Sequence, residues 1–305
     1  MNLLIEKYNK LKLWDNPILN YSIIERNFQK IKMKKVLKVA VLIPGEMRNF
    51  ENKYVKYYNN KNLLDLYNCD IFASVWDTKG FSPDHGIISN KEYSSQYINE
   101  ERLNNIYKNI KKTNIENFED WFNQLSDTYK ELYNNGFEVN NRKVKGTTIP
   151  QLYKIWDCNR LKTEYEKENG FEYDLVIRIR PDMCFLEQIP ESFLHDFFYN
   201  ENNSFLNKIY TLNPPKIFFP NRIYDAFFYG NNNSMNKICN VWSNILECIE
   251  FPLDNGLPSL DACRILFVSC IINQIEVINI SRSFTEIYRD EPIEEFIHQI
   301  LYLRN

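Results

Sequence analysis

Glycine is scarce in this chain, eight in 305 residues, and histidine scarcer still at three. The turn where a phosphate loop would be sought, after the first apolar run, is neither a G-x-G-x-x-G fingerprint nor a Walker A loop. No two of the seven cysteines have C-x-x-C spacing, and several sit in apolar runs, so they read as reduced core cysteines of a cytosolic protein. A disulfide frame or a cysteine zinc site is thereby disfavoured. Basic charge is not in excess: Lys and Arg number 37 against 40 Asp and Glu, for a net charge of −3. That balance gives no support to nucleic-acid binding, which rests on a strongly basic surface. Long hydrophobic runs are missing too. The stretch from Ile265 to Ile272 is far too short to cross a bilayer, and charge at Glu6 and Lys7 interrupts the opening apolar run too soon for a signal peptide. A soluble, cytoplasmic protein is expected.

What is present is material for a core. The hydrophobic fraction is 44%, with 21 Phe and 20 Tyr, which argues for a packed, enzyme-like body and against a disordered chain. The length suits one large α/β domain or two small ones. The stretch Tyr173-Asp174-Leu175-Val176-Ile177-Arg178-Ile179-Arg180-Pro181-Asp182-Met183 organises the rest. Its β-branched start fits a strand buried on both faces of a parallel sheet, and Pro181 stops the ladder. Open α/β sheets bind ligands in the crevice beyond the strands' carboxyl ends. Arg178, Arg180 and Asp182 at such a tip point to a site for an anion, with or without a divalent cation; the competing reading is a self-satisfied Arg–Asp pair.

Taken in order, residues 1–33 carry the spacing of two amphipathic helices, followed by Lys34, Lys35 and Lys38. This extension either packs on its own domain or makes peripheral contact with an anionic membrane. Val36 to Ile43 is the first strand, leading into Pro44-Gly45-Glu46-Met47-Arg48. Gly45 permits close backbone approach to a ligand, and Arg48 can clamp phosphate; the alternative is a plain turn with a surface arginine. A helix over 51–66 precedes a second strand, Cys69 to Trp76, whose tip bears Asp77. An acidic residue there suits a ribose hydroxyl or base edge, or else caps a turn. Residues 80–148 form a helical insertion at the cleft, with helices near 99–112 and 116–134. A strong helix runs from Thr147 to Gly170, Leu152, Ile155, Trp156, Leu161 and Tyr165 lining its buried face and Lys154 and Asn159 counted as polar. Later expected elements are a strand at Lys216–Pro220, a strand entered through Asp225, a helix capped by Ser234, a helix opened by Leu260–Asp261, and a strand over Glu276–Ile280. The body of the domain spans 34–290, and 291–305 close it with a C-terminal helix.

The spaced set Ile43 to Arg48, Asp70-Ile71-Phe72 with Trp76-Asp77, Tyr173 to Asp182, and Asp225 to Gly230 followed by Met235 resembles a poorly characterised glycosyltransferase-like family of bacterial surface-polysaccharide loci and large DNA viruses. The resemblance covers roughly residues 36–285. It implies a GT-A-like, Rossmann-type fold with a mixed, mainly parallel sheet, a nucleotide-sugar donor and a polysaccharide or glycolipid acceptor. In such folds an Asp-x-Asp strand end holds a divalent metal on the donor pyrophosphate. Here that position reads Arg180-Pro181-Asp182, so Asp182 is the expected ligand for Mn²⁺ or Mg²⁺, and Arg178 or Arg180 can take the metal's place. Charge grows on the departing diphosphate, and a cation aimed there favours the transition state. For an inverting reaction the acceptor's proton needs a carboxylate, and Asp225 and Asp261 are the candidates. Each has a plain structural reading beside it: a cap before a strand for Asp225, a helix first-turn residue for Asp261.

The expectation is therefore a nucleotide-sugar-dependent glycosyltransferase. A nucleotidyltransferase is one alternative, although the turn from Pro44 to Phe50 offers one glycine and no lysine. The other is a noncatalytic glycan-binding or scaffold protein on the same fold, in which Asp182 would be paired internally with no open crevice.

Overall fold

The computed structural model describes residues 36–80, 96–139, 142–199, 206–212, 222–251, 259–280 and 285–287. The chain begins with β1 (Val39–Gly45), α1 (Lys53–Asn59, extended by a wide π turn over Asn60–Leu64) and β2 (Asp70–Trp76). Then come α2 (Glu100–Ile106), β3 (Ile110–Glu116), α3 (Phe118–Gln124), α4 (Asp127–Asn135), β4 (Phe137–Val139) and β5 (Arg142–Val144). The long helix α5 (Thr148–Asn169) leads into β6 (Leu175–Ile179) and β7 (Met183–Phe185), followed by α6 (Glu191–Tyr199), β8 (Lys208–Leu212) and β9 (Phe227–Gly230). The described chain closes with α7 (Asn232–Cys239), α8 (Ile245–Glu250), β10 (Ser259–Leu260), α9 (Ala262–Ile272), β11 (Glu276–Ile280) and β12 (Thr285–Ile287).

Seven strands form the main sheet in the order β11-β8-β9-β6-β1-β2-β3. All run parallel except β9, which opposes both β6 and β8. The chain lays β2 and β3 outward on one side of β1, and α5 then carries it back to place β6 on the other. The gap between the tips of β1 and β6 is thus the point where the winding reverses, and ligands of open α/β sheets bind there.

Alternation at period two sorts the strand residues onto two faces. Ala40, Leu42, Phe72, Trp76, Val176 and Phe228 face the layer of α5, α7 and α9. Val41, Ile43, Ile71, Val75, Ile177, Ile179 and Tyr229 face the opposite core with Phe50, Leu103 and Phe197. Because both faces are covered, β1 reads as an unbroken apolar run and β6 as one interrupted only by Arg178. The helix α5 ends at Gly170, whose φ of +66° supplies the left-handed cap that L side chains rarely adopt.

The fold class, the second and sixth strands, α5 and β11 match the reading of the sequence; β1 lies two to three residues later than expected. Other elements depart from it. The helix expected over 99–112 stops at Ile106, because Ile110–Glu116 pairs with β2 as an edge strand whose half-exposed, polar residues lack a strand's apolar signature. The helix expected over 116–134 is two, broken at Leu125–Ser126. Asn231, not Ser234, caps α7 by accepting from the Ser234 amide. Strand β8 was not anticipated. Lys154 and Asn159, counted as polar members of α5, are buried. The helices expected at 1–33, with the membrane contact read there, the C-terminal helix at 291–305 and the strand at Lys216–Pro220 lie outside the described residues. Among those described, no helix is long and apolar enough to cross a membrane.

Gly230 sits where β9 is pressed between β6 and β8; a Cβ there would fall 2.8 Å from Ile209 Cδ1 and 2.9 Å from the Lys208 carbonyl oxygen. Gly230→Ala is expected to cost about 1–3 kcal/mol by overpacking, read by urea unfolding. An unchanged midpoint would contradict this register.

Candidate functional site

Two loops build the site, one after β1 and one after β6. The first turns at Gly45, whose φ is +99°, and continues through Glu46 to Arg48, itself at φ +43°. Left-handed backbone at a non-glycine residue is uncommon, and here it is held by a hydrogen bond from the Arg48 amide to the Lys79 carbonyl at 2.9 Å. The β1 and β2 tips are thereby tied together. The second loop is pinned to β9 by the Arg180 amide, which donates to the Ala226 carbonyl at 2.9 Å. A tight turn through Pro181 and Asp182 then leads to β7, closed by the Met183 amide donating to the Arg180 carbonyl at 3.0 Å.

Six charged side chains of alternating sign meet across these tips: Glu46, Arg48, Asp182, Arg180, Asp225 and Arg178. Arg48 Nε donates to Glu46 Oε2 at 3.1 Å, and Arg48 Nη1 makes a longer contact with Asp182 Oδ2 at 3.5 Å. Arg180 forks onto Asp182, Nε to Oδ1 at 2.7 Å and Nη2 to Oδ2 at 2.8 Å, the two-point geometry that makes such pairs strong. Asp225 accepts from Gln151 Nε2 at 2.6 Å and from the Cys263 thiol at 3.3 Å. Arg178 is fully buried beside the Phe228 ring, and among the described residues its Nε and Nη1 have no hydrogen-bond partner.

Each group's protonation follows from its neighbours. Burial alone would raise the Asp182 carboxyl, but the Arg180 and Arg48 guanidiniums outweigh it and hold it below the ordinary aspartate value. Asp225 is likewise pushed up by burial and drawn down further by Arg180, Arg178 and Gln151. Burial brings Arg178 down to about 10, with Asp225 opposing. Glu46 goes the other way: burial raises it, and Arg48 only partly offsets that.

A cavity of about 140 Å³ adjoins this row, lined by Glu46, Trp76, Thr78, Phe118, Tyr133 and Thr147 among others. Glu46 belongs to both, so the ionic row and the cavity share a wall.

The expected site residues Gly45, Arg48, Arg178, Arg180, Asp182 and Asp225 therefore lie together. Asp77 stands apart: its carboxylate accepts from Asn117 Nδ2 at 2.9 Å, beside the cavity and not on its wall. Asp261, expected as a base or a helix first-turn residue, is the N-cap of α9, accepting from the Arg264 amide at 3.1 Å, and pairs with Arg222. The metal role expected of Asp182 does not fit the donor set. Both its oxygens are committed to guanidiniums, the groups around it are cations, and among the described residues no group of three His, Cys, Asp or Glu can hold a metal ion. All seven cysteines are free, six of them buried, as expected of reduced core residues. Reading the sequence missed Glu46, Gln151 and Cys263. Glu46 stood inside the quoted turn, and its position beside Arg48 was the available signal.

Fold and site together define a mainly parallel α/β sheet, wound in both directions, with an ionic row at its reversal point. No known family matches the chain, and no curated protein matches it. Among solved structures it is similar to a nucleoside-diphosphate-sugar pyrophosphorylase from Vibrio cholerae, with a TM-score of 0.34 and 10% identity, over 86% of this chain and 99% of that one. A likeness of that degree carries no functional conclusion.

Asp182→Asn leaves two guanidiniums facing a neutral amide in a buried turn, and a loss of about 3–5 kcal/mol is expected in urea unfolding. The folded Asp182 titrates below its ordinary value of 3.8, so its contribution is full above that pH and is lost as pH falls through the folded value. The difference between wild type and variant should therefore shrink as the pH drops below 3.8. A constant gap down the acid limb would contradict the assignment.

Proposed function

We propose that the chain is a glycosyltransferase that moves a sugar from a nucleotide-sugar donor to a glycan or glycolipid acceptor, with arginines in place of a bound divalent cation at the leaving diphosphate. The observation that carries this reading is the placement of Arg48, Arg180 and Arg178 at the β1/β6 reversal point, beside a cavity. Breaking the bond between the anomeric carbon and the phosphate oxygen leaves negative charge on that oxygen. Guanidiniums fixed before the reaction starts stabilise that charge more in the transition state than in the ground state. Planar, forked donors also match phosphate oxygens two at a time.

The fork of Arg180 is closed on Asp182 here, and the donor's phosphates would take over those N–H groups. Asp225 stands beside Arg180 with its oxygens held by Gln151 and Cys263, and it is the carboxylate assigned to receive the acceptor's proton. Its lowered pKa keeps it ionised at neutral pH, as a base must be. The closed Arg180–Asp182 fork also favours a second reading, a noncatalytic protein on the same fold, in which the pair serves only to seal the strand tip.

Two measurements separate these. In thermal-shift assays with UDP-, GDP- and CMP-sugars, one donor class is expected to stabilise the wild type equally with and without Mn²⁺. Stabilisation only with Mn²⁺ would overturn the arginine assignment, and no shift with any donor would leave the noncatalytic reading. With the active donor, Asp225→Asn is expected to lower transfer about 10²- to 10⁴-fold while donor binding persists. Near-normal turnover would remove Asp225 from the reaction.

A further inference from the structure

The cavity between the tips of β1 and β2 has hydrogen-bonding capacity that the protein itself leaves unused. Glu46 turns Oε2 to Arg48, and among the described residues no donor reaches Oε1. Gly80 leaves room for that carboxylate, since a Cβ there would fall 2.5 Å from Glu46 Cδ. Thr78, Tyr133 and Thr147 also line the cavity, and among the described residues their hydroxyls make no hydrogen bond; Thr147 precedes α5 yet makes no side-chain cap. Burial and the nearby Glu119 and Glu46 charges keep Tyr133 protonated, so it donates. Trp76, Phe118 and Pro150 supply the apolar part of the wall. Trp76 and Phe118 meet edge to face at 5.2 Å, and Phe118 and Tyr133 lie at 5.6 Å.

These features select a ligand chemistry. Among the described residues that line the cavity none is cationic and the single charged group, Glu46, is an anion, so these residues repel a phosphate, which belongs at the arginines. Apolar faces beside a carboxylate acceptor and three hydroxyls suit a group with one C–H face and several O–H donors. The volume of about 140 Å³ is of the order of one small ring, since an apolar cavity of about 150 Å³ takes benzene. We infer that this cavity is a sugar-ring subsite, in which Glu46 Oε1 accepts from neighbouring ring hydroxyls and the aromatic wall covers the ring's C–H face. Glu46 touches Arg48 on its other oxygen, so the bound ring lies next to the diphosphate position. The inference rests on the transferase reading for which ring it is: the ribose of the donor nucleotide, or a sugar of the acceptor.

Isothermal titration of the full chain distinguishes the sources. The probes are inorganic pyrophosphate, uridine and guanosine diphosphates, their 2′-deoxy forms, and the neutral trisaccharides maltotriose and N-acetylchitotriose. Glu46→Gln removes the acceptor charge, and Thr78→Val removes a hydroxyl without touching the ionic row. Glu46→Gln is expected to bind the ring-bearing ligand about tenfold to a hundredfold more weakly, as for bonds to a charged group, and Thr78→Val about twofold to tenfold, with pyrophosphate affinity of Thr78→Val, which leaves the Glu46–Arg48 pair intact, within about twofold of wild type. Loss on the nucleotides, with the 2′-deoxy forms already weak on wild type, identifies ribose; loss on a trisaccharide identifies the acceptor. Variants that bind every ring-bearing ligand as wild type does, or a wild type that binds none of them, would overturn the subsite. Were wild type to bind a trisaccharide that the variants lose, with no nucleotide or pyrophosphate bound at all, the subsite would stand and the transferase reading would fall. Nucleotide binding indifferent to both variants would leave the transferase reading and remove the subsite.

Discussion

Three guanidiniums are held at one edge of a sheet, two of them largely out of water, and the interleaved carboxylates make that possible. An unpaired buried charge costs several kcal/mol, far more than the marginal stability of a domain tolerates at several sites together. Alternation solves this: Asp182 lies between Arg48 and Arg180, and Asp225 between Arg180 and Arg178. The arrangement is not saturated. Among the described residues, Arg178 keeps two N–H groups without partners. On the transferase reading, the donor's phosphates would meet this row by taking over N–H groups now turned to Asp182.

The rest of the molecule holds that row in place. The long helix α5 must present Gln151 to Asp225, and it is anchored by buried polar contacts as well as by its apolar side. Asp157 accepts from Ser74 Oγ on β2 at 2.6 Å and from Asn114 Nδ2 on β3 at 2.8 Å. Lys154, fully buried, pairs with Glu116 at 2.6 Å and lies 4.1 Å from the centre of the Trp76 ring. Such directional contacts fix the helix's rotation in a way that apolar packing alone does not. Trp76, so held, supplies one wall of the cavity. Structural polarity and the cavity are thus joined through the same tryptophan, and the β1 and β2 tips, tied by the Arg48–Lys79 hydrogen bond, complete the frame.

The sequence disclosed those parts of this arrangement whose signals are local. Val176, Ile177 and Ile179 mark a strand covered on both faces, and the charges directly after it could only be at its tip. The same reasoning located Arg48 and Gly45. Other features depend on pairing that no local pattern carries. Strand β3, with two lysines, an asparagine and a glutamate in seven residues, resembles a polar helix until its hydrogen bonds to β2 are seen. Lys154 and Asp157 look like the solvated side of α5 because their partners lie far off in the chain. Gln151 is uncharged and distant from Asp225, and Glu46 beside Arg48 looks like any charged turn. Asp261 shows the opposite error: a carboxylate ahead of an apolar helix suits a base and a cap equally, and its hydrogen bond to the Arg264 amide makes it the cap.

Whether the ionic row opens to receive a diphosphate is tested most directly by a crystal structure of the chain with a nucleoside diphosphate bound. The transferase account expects the Arg180 guanidinium turned from Asp182 onto phosphate oxygens at the β1/β6 tips. A nucleotide bound elsewhere, with the Arg180–Asp182 fork still closed at 2.7 and 2.8 Å, would contradict it.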